Sequence, residues 1–431
     1  KQKTAYEIGV RLVGSEMCIR DSINPMQLME EPLSLFELTS KIASYLKEYP
    51  EKIIATYNGA SYDLIILRHS FFSSLINPYL LSNASDDRIH IDLYNVAQAI
   101  YCFEPTSIAF HKDVTGKLIL KQELLAIANG IDPGDAHAAL DDVKVLLKLA
   151  KLFEQNTPRI FFSAIASGNK KRAINLMTKQ LFFNYGEVKY KERLAVKRTP
   201  TFICEDPSYS NNLVHFDLAY DPIDYVFMTA EEIAPKINRK GSPFFTIKSN
   251  KSPVILPGEL CEKNGLSLDE ASKRAEMVQD NQGFKENVLM ACDINSRKRP
   301  EWQNPDFSES QIYSHFIDNS DRLLSDAFLQ TNNVEKRIEI MQQINDPRLI
   351  DFAKRILASE HPNCEPKIIM NFQEFEAERL LTEDEVPWRT LSDARRSLEG
   401  LESKEKKVKL NPDILSATKN YYNLVEEEIR K

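Results

Sequence analysis

The sequence predicts an α/β domain over roughly its first 155 residues, then a small β-rich domain and then a helical domain. Up to that point, short apolar runs alternate with segments of helical spacing. Between residues 200 and 255, the apolar runs are separated by Pro, Asn, Asp and Gly, which is typical of strands joined by turns. From about residue 306 onward the segments are long and charged and have helical periodicity.

The α/β part begins with a helix over residues 35–48, whose apolar residues recur at helical spacing. KIIATY at 52–57 predicts a short buried strand, NGAS predicts a turn, and YDLIILRHSFFSSL continues as a helix. RIHIDLYNVAQAIY at 88–101 predicts a short strand that runs into a helix. This strand–turn–helix alternation is the pattern of α/β proteins.

Two further helices complete this part of the chain. LKQELLAIANGI at 120–131 predicts a helix that ends at Gly130. The long helix in DPGDAHAALDDVKVLLKLAKLFEQ follows, with Pro133 and Gly134 before its start and Asp135 as the candidate N-cap.

The rest of the chain divides at about residue 306. The predicted β-rich part contains the runs TFICE, LVHFDLA, DYVFMTA and PFFTIK. The predicted helical part contains SHFIDNSDRLLSDAFLQ, EKRIEIMQQI, PRLIDFAKRILASE and NPDILSATKNYYNLVEEEIRK.

Composition is that of an ordinary globular protein, with 431 residues, 42% hydrophobic and 27% charged. No uninterrupted apolar run reaches the roughly 18 residues that a membrane span needs. The six cysteines form no CxxC pair, so neither a zinc site nor a disulfide framework is indicated. These observations predict a cytoplasmic protein without a membrane segment.

Charge is unevenly distributed along the chain. The net charge of −8 argues against a general nucleic-acid-binding protein. Residues 157–200, however, contain ten Lys or Arg and two Glu, and aromatic residues lie between them. This segment is either a solvated face or a phosphate-binding surface.

Two carboxylates lie where a predicted helix faces the core. Asp142 is in register with Leu146, Leu149 and Phe153, whereas Asp141 is in register with Lys144, Val145 and Lys148 on a more solvated side. Asp63 lies in the first turn of the helix after KIIATY, in register with Ile66, Leu67 and Ser70. A carboxylate at the edge of a core needs a partner, either backbone N–H groups at the helix start or a metal ion. With His137 to take a proton from water, Asp63 and Asp142 predict a metal-assisted hydrolase that uses Mg²⁺.

The segments YNGASYD (57–63) and AHAALDDV (136–143) resemble two motifs of the DEDDh 3′→5′ exonucleases. Together with RIHIDLYNVAQAIYCFEP, LKQELLAIANGI, TPRIFFSAIASGNKKRAINLM, SPVILPGE and QIYSHF, in this order, they resemble the bacterial exonuclease I family. The resemblance covers residues 23–431. It implies an RNase H-like exonuclease domain (23–157), an SH3-like domain (158–305) and a helical C-terminal domain (306–431).

The resemblance also implies roles for individual residues. Asp63 and Asp142 match metal-binding aspartates, so the family motif selects Asp142 over Asp141, and His137 matches the general base. Lys121 matches a basic residue that contacts DNA, and the basic cluster Lys170, Lys171 and Arg172 is expected to hold phosphates. The implied activity is hydrolysis of single-stranded DNA from the 3′ end by a monomer, with release of 5′-mononucleotides and two Mg²⁺ ions. A further implied partner is single-stranded DNA-binding protein, although Ser163 stands where the family has an aromatic residue.

The sequence departs from the family at its beginning. The family carries an Asp-x-Glu pair on its first strand, and no Asp of this chain is followed two residues later by Glu. Residues 1–22 instead resemble a translated sequencing adapter and are expected not to be native protein. The alternative is that AYEIG supplies Glu7 as a ligand, with Ala5 in place of the aspartate. Because two metal ions about 4 Å apart need several carboxylates to offset their repulsion, we expect an incomplete exonuclease domain with impaired activity.

Two other functions stay open at this point. The missing Asp-x-Glu pair favours a catalytically inactive protein that binds single-stranded nucleic acid. The third function is a related exoribonuclease, since no side chain that would recognise a 2′-hydroxyl group can be identified.

Overall fold

The computed structural model describes residues 24–26, 33–49, 53–84, 88–134, 139–189, 192–299, 307–361, 363–386, 388–402 and 411–430. The chain divides into two compact units. The C-terminal unit comprises residues 1–49, 62–81 and 303–431, and the central unit comprises residues 50–61 and 82–302. Asp63 belongs to the C-terminal unit and Asp142 to the central unit.

The strands of the described residues are short. In chain order they are β1 Ile53–Thr56, β2 Ile89–Asp92, β3 His111–Lys112, β4 Leu118–Ile119, β5 Tyr185–Lys189, β6 Leu194–Arg198, β7 Pro200–Asp206, β8 Tyr209–Asp217 and β9 Phe244–Lys248. β1 and β2 are parallel, β3–β4 and β5–β6 are antiparallel pairs, and β7–β8–β9 is an antiparallel sheet.

Helices account for most of the remaining described residues. They are α1 Leu35–Glu48, α2 Asp63–Ser73, α3 Leu93–Phe103, α4 Gln122–Ala128, α5 Ala139–Asn156, α6 Pro158–Ala166, α7 Lys170–Lys179, α8 Ala230–Ile233, α9 Leu268–Asp280, α10 Gln282–Arg297, α11 Asn319–Gln330, α12 Val334–Met341, α13 Pro347–Glu360, α14 Pro366–Leu381, α15 Leu391–Glu402 and α16 Pro412–Ile429. Within the described residues, no helix is long and apolar enough to cross a membrane.

The central unit has separate apolar cores. One forms where α3 and α5 pack with β2, and it contains Val96, Ile100, Leu149 and Phe153, all fully buried. Another forms between the β7–β8–β9 sheet and helices α9 and α10. The α/β prediction is therefore confirmed in the coarse sense that strands alternate with helices up to Asn156, and β-strands and then helices follow.

The C-terminal unit is helical, and its core is made by Phe72 of α2 with residues of α11 to α14. A second cluster joins α15 and α16 around Leu398 and Tyr422. The long helix predicted from SHFIDNSDRLLSDAFLQ begins only at Asn319, and a short 3₁₀ helix, Ser308–Tyr313, precedes it. The division into domains at residues 157/158 and 305/306 stays a prediction.

One predicted strand region is wrong. In DYVFMTA, Asp224 ends a 3₁₀ helix, Pro222–Asp224, and Ala230 begins α8. The Asp221 carboxylate accepts a hydrogen bond from the Ile223 N–H at 3.1 Å, and Thr229 caps α8 with a capping box. These local hydrogen bonds satisfy backbone N–H groups without a neighbouring strand. The apolar run therefore does not form a β-strand here.

The exposed and buried faces of α5 lead to a test of its register. Leu149 is fully buried, whereas Leu147 on the same helix is 56% exposed. Leu149→Ala should lower the free energy of unfolding by about 2–5 kcal/mol, because it removes packed methyl groups and leaves a cavity. Leu147→Ala should change it by less than about 0.5 kcal/mol. Urea denaturation measures both, and equal losses would show that the helix is rotated from the position described.

Candidate functional site

The carboxyl ends of β1 and β2 lie side by side, since Thr56 pairs with Asp92 in a parallel register. Asp92 is 3% exposed and is the N-cap of α3, where its carboxylate accepts a hydrogen bond from the Tyr94 N–H at 3.1 Å. The same oxygen accepts from the Asn58 N–H at 2.6 Å, and Asn58 has a positive φ of 61°. One buried carboxylate therefore fixes both the start of α3 and the turn that follows β1.

A hydrogen bond from Tyr57 also joins this turn to Leu120, just before α4 begins. The Tyr57 hydroxyl donates to the Leu120 carbonyl oxygen at 2.7 Å, and its ring packs edge-on against Tyr94 with centroids 5.8 Å apart. Burial raises the pKa of Tyr57 far above its ordinary value, and the nearby Tyr94 and Asp92 act in the same direction. The hydroxyl therefore stays protonated and available as a donor.

A third set of bonds joins the same sheet to the segment that follows β9. His90 of β2 is 2% exposed, with Nδ1 2.6 Å from the Ser252 hydroxyl and Nε2 2.9 Å from the Thr56 hydroxyl. Burial, helped by the charge of Lys251, lowers the pKa of His90 to about 4. The imidazole is thus neutral at pH 7, and one ring nitrogen donates while the other accepts.

A hydrogen bond joins Gln122, the residue after Lys121, to the backbone of Asp142. The Gln122 side chain donates from Nε2 to the Asp142 carbonyl oxygen at 2.7 Å. Lys121 is the N-cap residue of α4 and is exposed. This hydrogen bond joins the start of α4 to the first turn of α5, so a cationic side chain and a carboxylate flank the same junction.

The environments of the two adjacent aspartates differ. The Asp141 carboxylate accepts a hydrogen bond from Lys144 Nζ at 2.7 Å. A Cβ atom at Gly134 would lie 3.0 Å from the Oδ2 atom of Asp141. For Asp142, no hydrogen bond or ion pair to the carboxylate is present within the described part of the chain. Asp142 is therefore the one of the two whose oxygens stay available to an added ligand.

The predicted faces of this helix need a correction. Val145 was predicted on the solvated side with Lys144, yet it is 3% exposed. The buried stripe of α5 consists of Val145, Leu149 and Phe153. Four residues before Val145 the same row reaches Asp141, and both Asp141 and Asp142 are partly exposed.

Asp63 is placed differently from its prediction. It begins α2, as predicted, but the residue is exposed. The buried residues of this helix are Phe71 and Phe72, near its other end. Desolvation by nearby atoms raises the pKa of Asp63, and its own backbone N–H partly offsets this. Asp63 and Asp142 lie in different units, so their shared role stays a prediction.

Several predicted residues lie outside the described residues. They are the candidate base His137, the candidate N-cap Asp135, and residues 1–22 with Ala5 and Glu7. In the ranges that the structure does describe, no group of three or more His, Cys, Asp or Glu side chains is placed to hold a metal ion. The described side chains alone therefore do not make a complete metal site.

The basic cluster lies at the start of α7. Lys171 and Arg172 are exposed and Lys170 is half-buried. The Asn169 carboxamide oxygen accepts from the Lys171 and Arg172 N–H groups at 3.0 and 3.2 Å. Since these backbone donors are already satisfied, a phosphate here would be held by the side chains, with support from the helix dipole.

Sequence reasoning missed the residues that hold this arrangement in place. Asp92, His90 and Gln122 contact the turn after β1, the end of the sheet or the Asp142 backbone, but none was predicted as a site residue. Asp92 had a signal, because an aspartate between a strand and a helix is a common N-cap. His90 and Gln122 had no such signal in the local sequence, because their partners Ser252 and Asp142 lie 162 and 20 residues away.

Comparison with known proteins confirms the predicted resemblance. No protein-family model matches the chain. The exodeoxyribonuclease I of Haemophilus influenzae is 24% identical over 364 residues, which covers 79% of this chain and 74% of the relative. Escherichia coli exonuclease I in complex with a dA16 oligonucleotide has a TM-score of 0.79 at 19% identity, covering 96% of this chain and 90% of that one.

Two further solved structures with this fold contain bound ligands. An E. coli exonuclease I–single-stranded DNA complex with bound zinc has a TM-score of 0.76 at 18% identity and covers 97% of this chain and 90% of that one. An exonuclease I/SSB-Ct complex has a TM-score of 0.74 at 19% identity, and the match covers 94% of this chain and 86% of that one. This chain therefore has the fold of exonuclease I.

The buried His90 predicts a pH dependence. Its pKa of about 4 lies below the ordinary value of 6.5, so the unfolded chain binds the extra proton between these pH values. Stability is fully present above pH 6.5 and falls as the pH drops toward 4. Between pH 7 and 5 the loss should be about 2 kcal/mol. Urea denaturation at both pH values, on the native chain and on His90→Gln, measures it. An equal loss in the variant would contradict the assignment.

Proposed function

We propose that this chain, which resembles exodeoxyribonuclease I in sequence and fold over most of its length, is a 3′→5′ exonuclease of single-stranded DNA. It hydrolyses phosphodiester bonds and releases 5′-mononucleotides. The agreement of fold over 96% of the chain is the observation that carries this proposal. The Gln122 bond to the Asp142 backbone, which joins the starts of α4 and α5, supports it from within the molecule.

We assign metal binding to Asp63 and Asp142. Carboxylate oxygens are the ligands that Mg²⁺ prefers, and the Asp142 carboxylate meets no donor within the described residues. Mg²⁺, when bound, supplies charge stabilisation at the phosphate and makes water more acidic. Because the 431 residues contain no Asp-x-Glu pair, the proposed activity is weaker than that of an enzyme with the complete set of carboxylates.

The proposed roles of the other side chains follow from their charge. His137 takes the proton from the attacking water. Lys121, next to the Gln122 junction, and the Lys170, Lys171 and Arg172 cluster hold phosphates of the strand. We further propose the three-domain division named above, with RNase H-like, SH3-like and helical domains, a monomeric state and a cytoplasmic location.

Single-stranded DNA-binding protein is a proposed partner, because a structure of the same fold is solved with SSB-Ct. Ser163, which replaces the expected aromatic residue, is half-buried on α6, and its hydroxyl donates to the Arg159 carbonyl oxygen at 2.7 Å. The hydroxyl is thus engaged within its own helix and offers no aromatic face, so we expect this partner to bind weakly.

The competing functions are separated by two measurements. A catalytically inactive binding protein would bind single-stranded DNA tightly and with strong salt dependence, without Mg²⁺-dependent cleavage. In a competition assay, the cleavage rate of an exoribonuclease would fall more when single-stranded RNA is added as competitor than when DNA of the same sequence and length is added.

Asp142 and Asp141 form a matched pair for the catalytic test. With 5′-labelled single-stranded DNA and Mg²⁺, Asp142→Asn should lower the initial rate at least about 100-fold, since a neutral amide replaces a carboxylate beside a divalent ion. Asp141→Asn, which breaks the Lys144 ion pair, should lower it less than about fivefold. In the same assay His137→Ala should lower it by about 100- to 10,000-fold. A rate unchanged in Asp142→Asn or His137→Ala would exclude the role of that residue.

The ends of α7 offer a matched pair for phosphate binding. Lys170→Gln at its start should weaken binding of single-stranded DNA and reduce the slope of log affinity against log salt by about 0.7. Lys179→Gln removes the same charge at the other end of the helix and should leave the slope unchanged. Fluorescence anisotropy in EDTA measures both. Equal slopes for the two variants would contradict a phosphate site at the start of α7.

A further inference from the structure

Two cysteine side chains of the central unit face each other where β7 packs against α10. The Cys204 thiol of β7 donates a hydrogen bond to the Cys292 sulfur of α10. Both residues belong to the apolar core between the β7–β8–β9 sheet and helices α9 and α10, where Cys292 is buried and Cys204 is half-buried. The packing of α10 on the sheet therefore brings together two sulfur atoms that lie far apart in the sequence.

A cavity of about 570 Å³ reaches one of these two cysteines. Cys292 lines it, together with Asn295 on the same face of α10 and Arg299 just beyond the end of that helix. Asp206, the last residue of β7, lines it as well. The cavity is partly open to solvent and far larger than the roughly 30 Å³ of one water molecule, so a small polar reagent can reach Cys292.

Arg299 supplies a positive charge beside this cavity. Its Nη2 atom lies 3.8 Å from the Asp206 Oδ2 atom, and its guanidinium carbon lies 4.6 Å from the Tyr209 ring centroid. The hydrogen bond from Cys204, helped by the charge of Arg299, lowers the pKa of the Cys292 thiol. The same hydrogen bond, together with burial, raises the pKa of Cys204. Cys292 is therefore the nucleophile of the pair, and Cys204 keeps its proton.

Two other cysteines show the contrast with ordinary buried thiols. Cys102 Sγ donates to the Glu187 and Val196 carbonyl oxygens at 3.7 and 3.9 Å, and Cys261 is fully buried in the same core as the pair. Burial raises the pKa of both thiols, so they stay protonated and unreactive. A metal site at the pair is disfavoured, because no cluster of three or more His, Cys, Asp or Glu in the described ranges is placed to hold an ion.

We propose that Cys204 and Cys292 form a peroxide-reactive dithiol, in which Cys292 is oxidised first and Cys204 then closes an intramolecular disulfide. The Cys292 thiolate attacks one oxygen of hydrogen peroxide, the O–O bond breaks, and the leaving hydroxide takes up a proton to become water. The sulfenic acid on Cys292 condenses with the Cys204 thiol, which forms the S–S bond and releases a second water.

In this step two thiols are oxidised and one peroxide is reduced, and a small-molecule dithiol reverses the bond by thiol–disulfide exchange. The disulfide would join β7 to α10 within the central unit. Disulfides that form in a reducing compartment are usually transient and sense the redox state. This modification site is independent of the proposed exonuclease activity and goes beyond it.

Peptide mapping of the native chain tests the inference without any substitution. The reduced chain is treated with hydrogen peroxide, catalase removes the excess, and the remaining thiols are alkylated in denaturant. We expect a peptide pair cross-linked between Cys204 and Cys292, which dithiothreitol releases, while Cys261 is recovered alkylated. The thiol of Cys292 should be lost at least about tenfold faster than that of Cys261, since the thiolate is the reactive form.

Single substitutions assign the two roles. In Cys204→Ala, oxidation should stop at the sulfenic acid of Cys292, which dimedone captures, whereas Cys292→Ala should leave Cys204 unlabelled over the same time. Cys261→Ala is the matched control in the same core and should form the disulfide at the native rate. Thermal unfolding of each reduced variant shows whether it folds, and the map of the native chain decides the inference where one does not.

Three results would each overturn the inference. They are equal oxidation rates of Cys292 and Cys261 in the native chain, dimedone on Cys204 in place of Cys292, and a disulfide that joins two chains on a non-reducing gel. Exonuclease activity is assayed separately, so its absence would leave the oxidation of the pair unchanged.

Discussion

The buried carboxylate of Asp92 is the constraint on which the α/β part of the central unit depends. It accepts N–H groups from both Asn58 and Tyr94, so it joins the turn after β1 to the start of α3. A two-stranded parallel sheet is weak by itself. Here the Asp92 bonds and the Thr56–His90–Ser252 chain add side-chain hydrogen bonds at the end of that sheet, where an α/β protein binds its ligands.

The second constraint is the register of α5. Its stripe of Val145, Leu149 and Phe153 faces the core, and Asp141 and Asp142 in its first turn are both partly exposed. The difference between them arises from neighbours and not from burial. Lys144 and the close approach of Gly134 engage Asp141, whereas Gln122 takes only the backbone carbonyl of Asp142 and leaves its carboxylate for a ligand.

Much of the fold could be predicted from local pattern. The bounds of α1 and of the strand-to-helix passage at 88–101 follow from periodicity, and Gly130, with φ of 71°, ends α4 within two residues as expected. Prediction failed where short-range hydrogen bonds outweighed an apolar pattern, as at Asp221 and Thr229 in DYVFMTA. It also failed at Val145, since a helix wheel assigns a face only after the packing partners are known.

By itself, the sequence determined the order of helices and strands, the resemblance to exonuclease I and the identity of Asp63, Asp142 and His137 as candidate site residues. These depend on residue type and spacing along the chain. Only the tertiary structure decided that Asp92, His90 and Gln122 hold the site's surroundings. Their contacts with Asn58, Ser252 and the Asp142 backbone join residues 34, 162 and 20 positions apart, so no local pattern contains them.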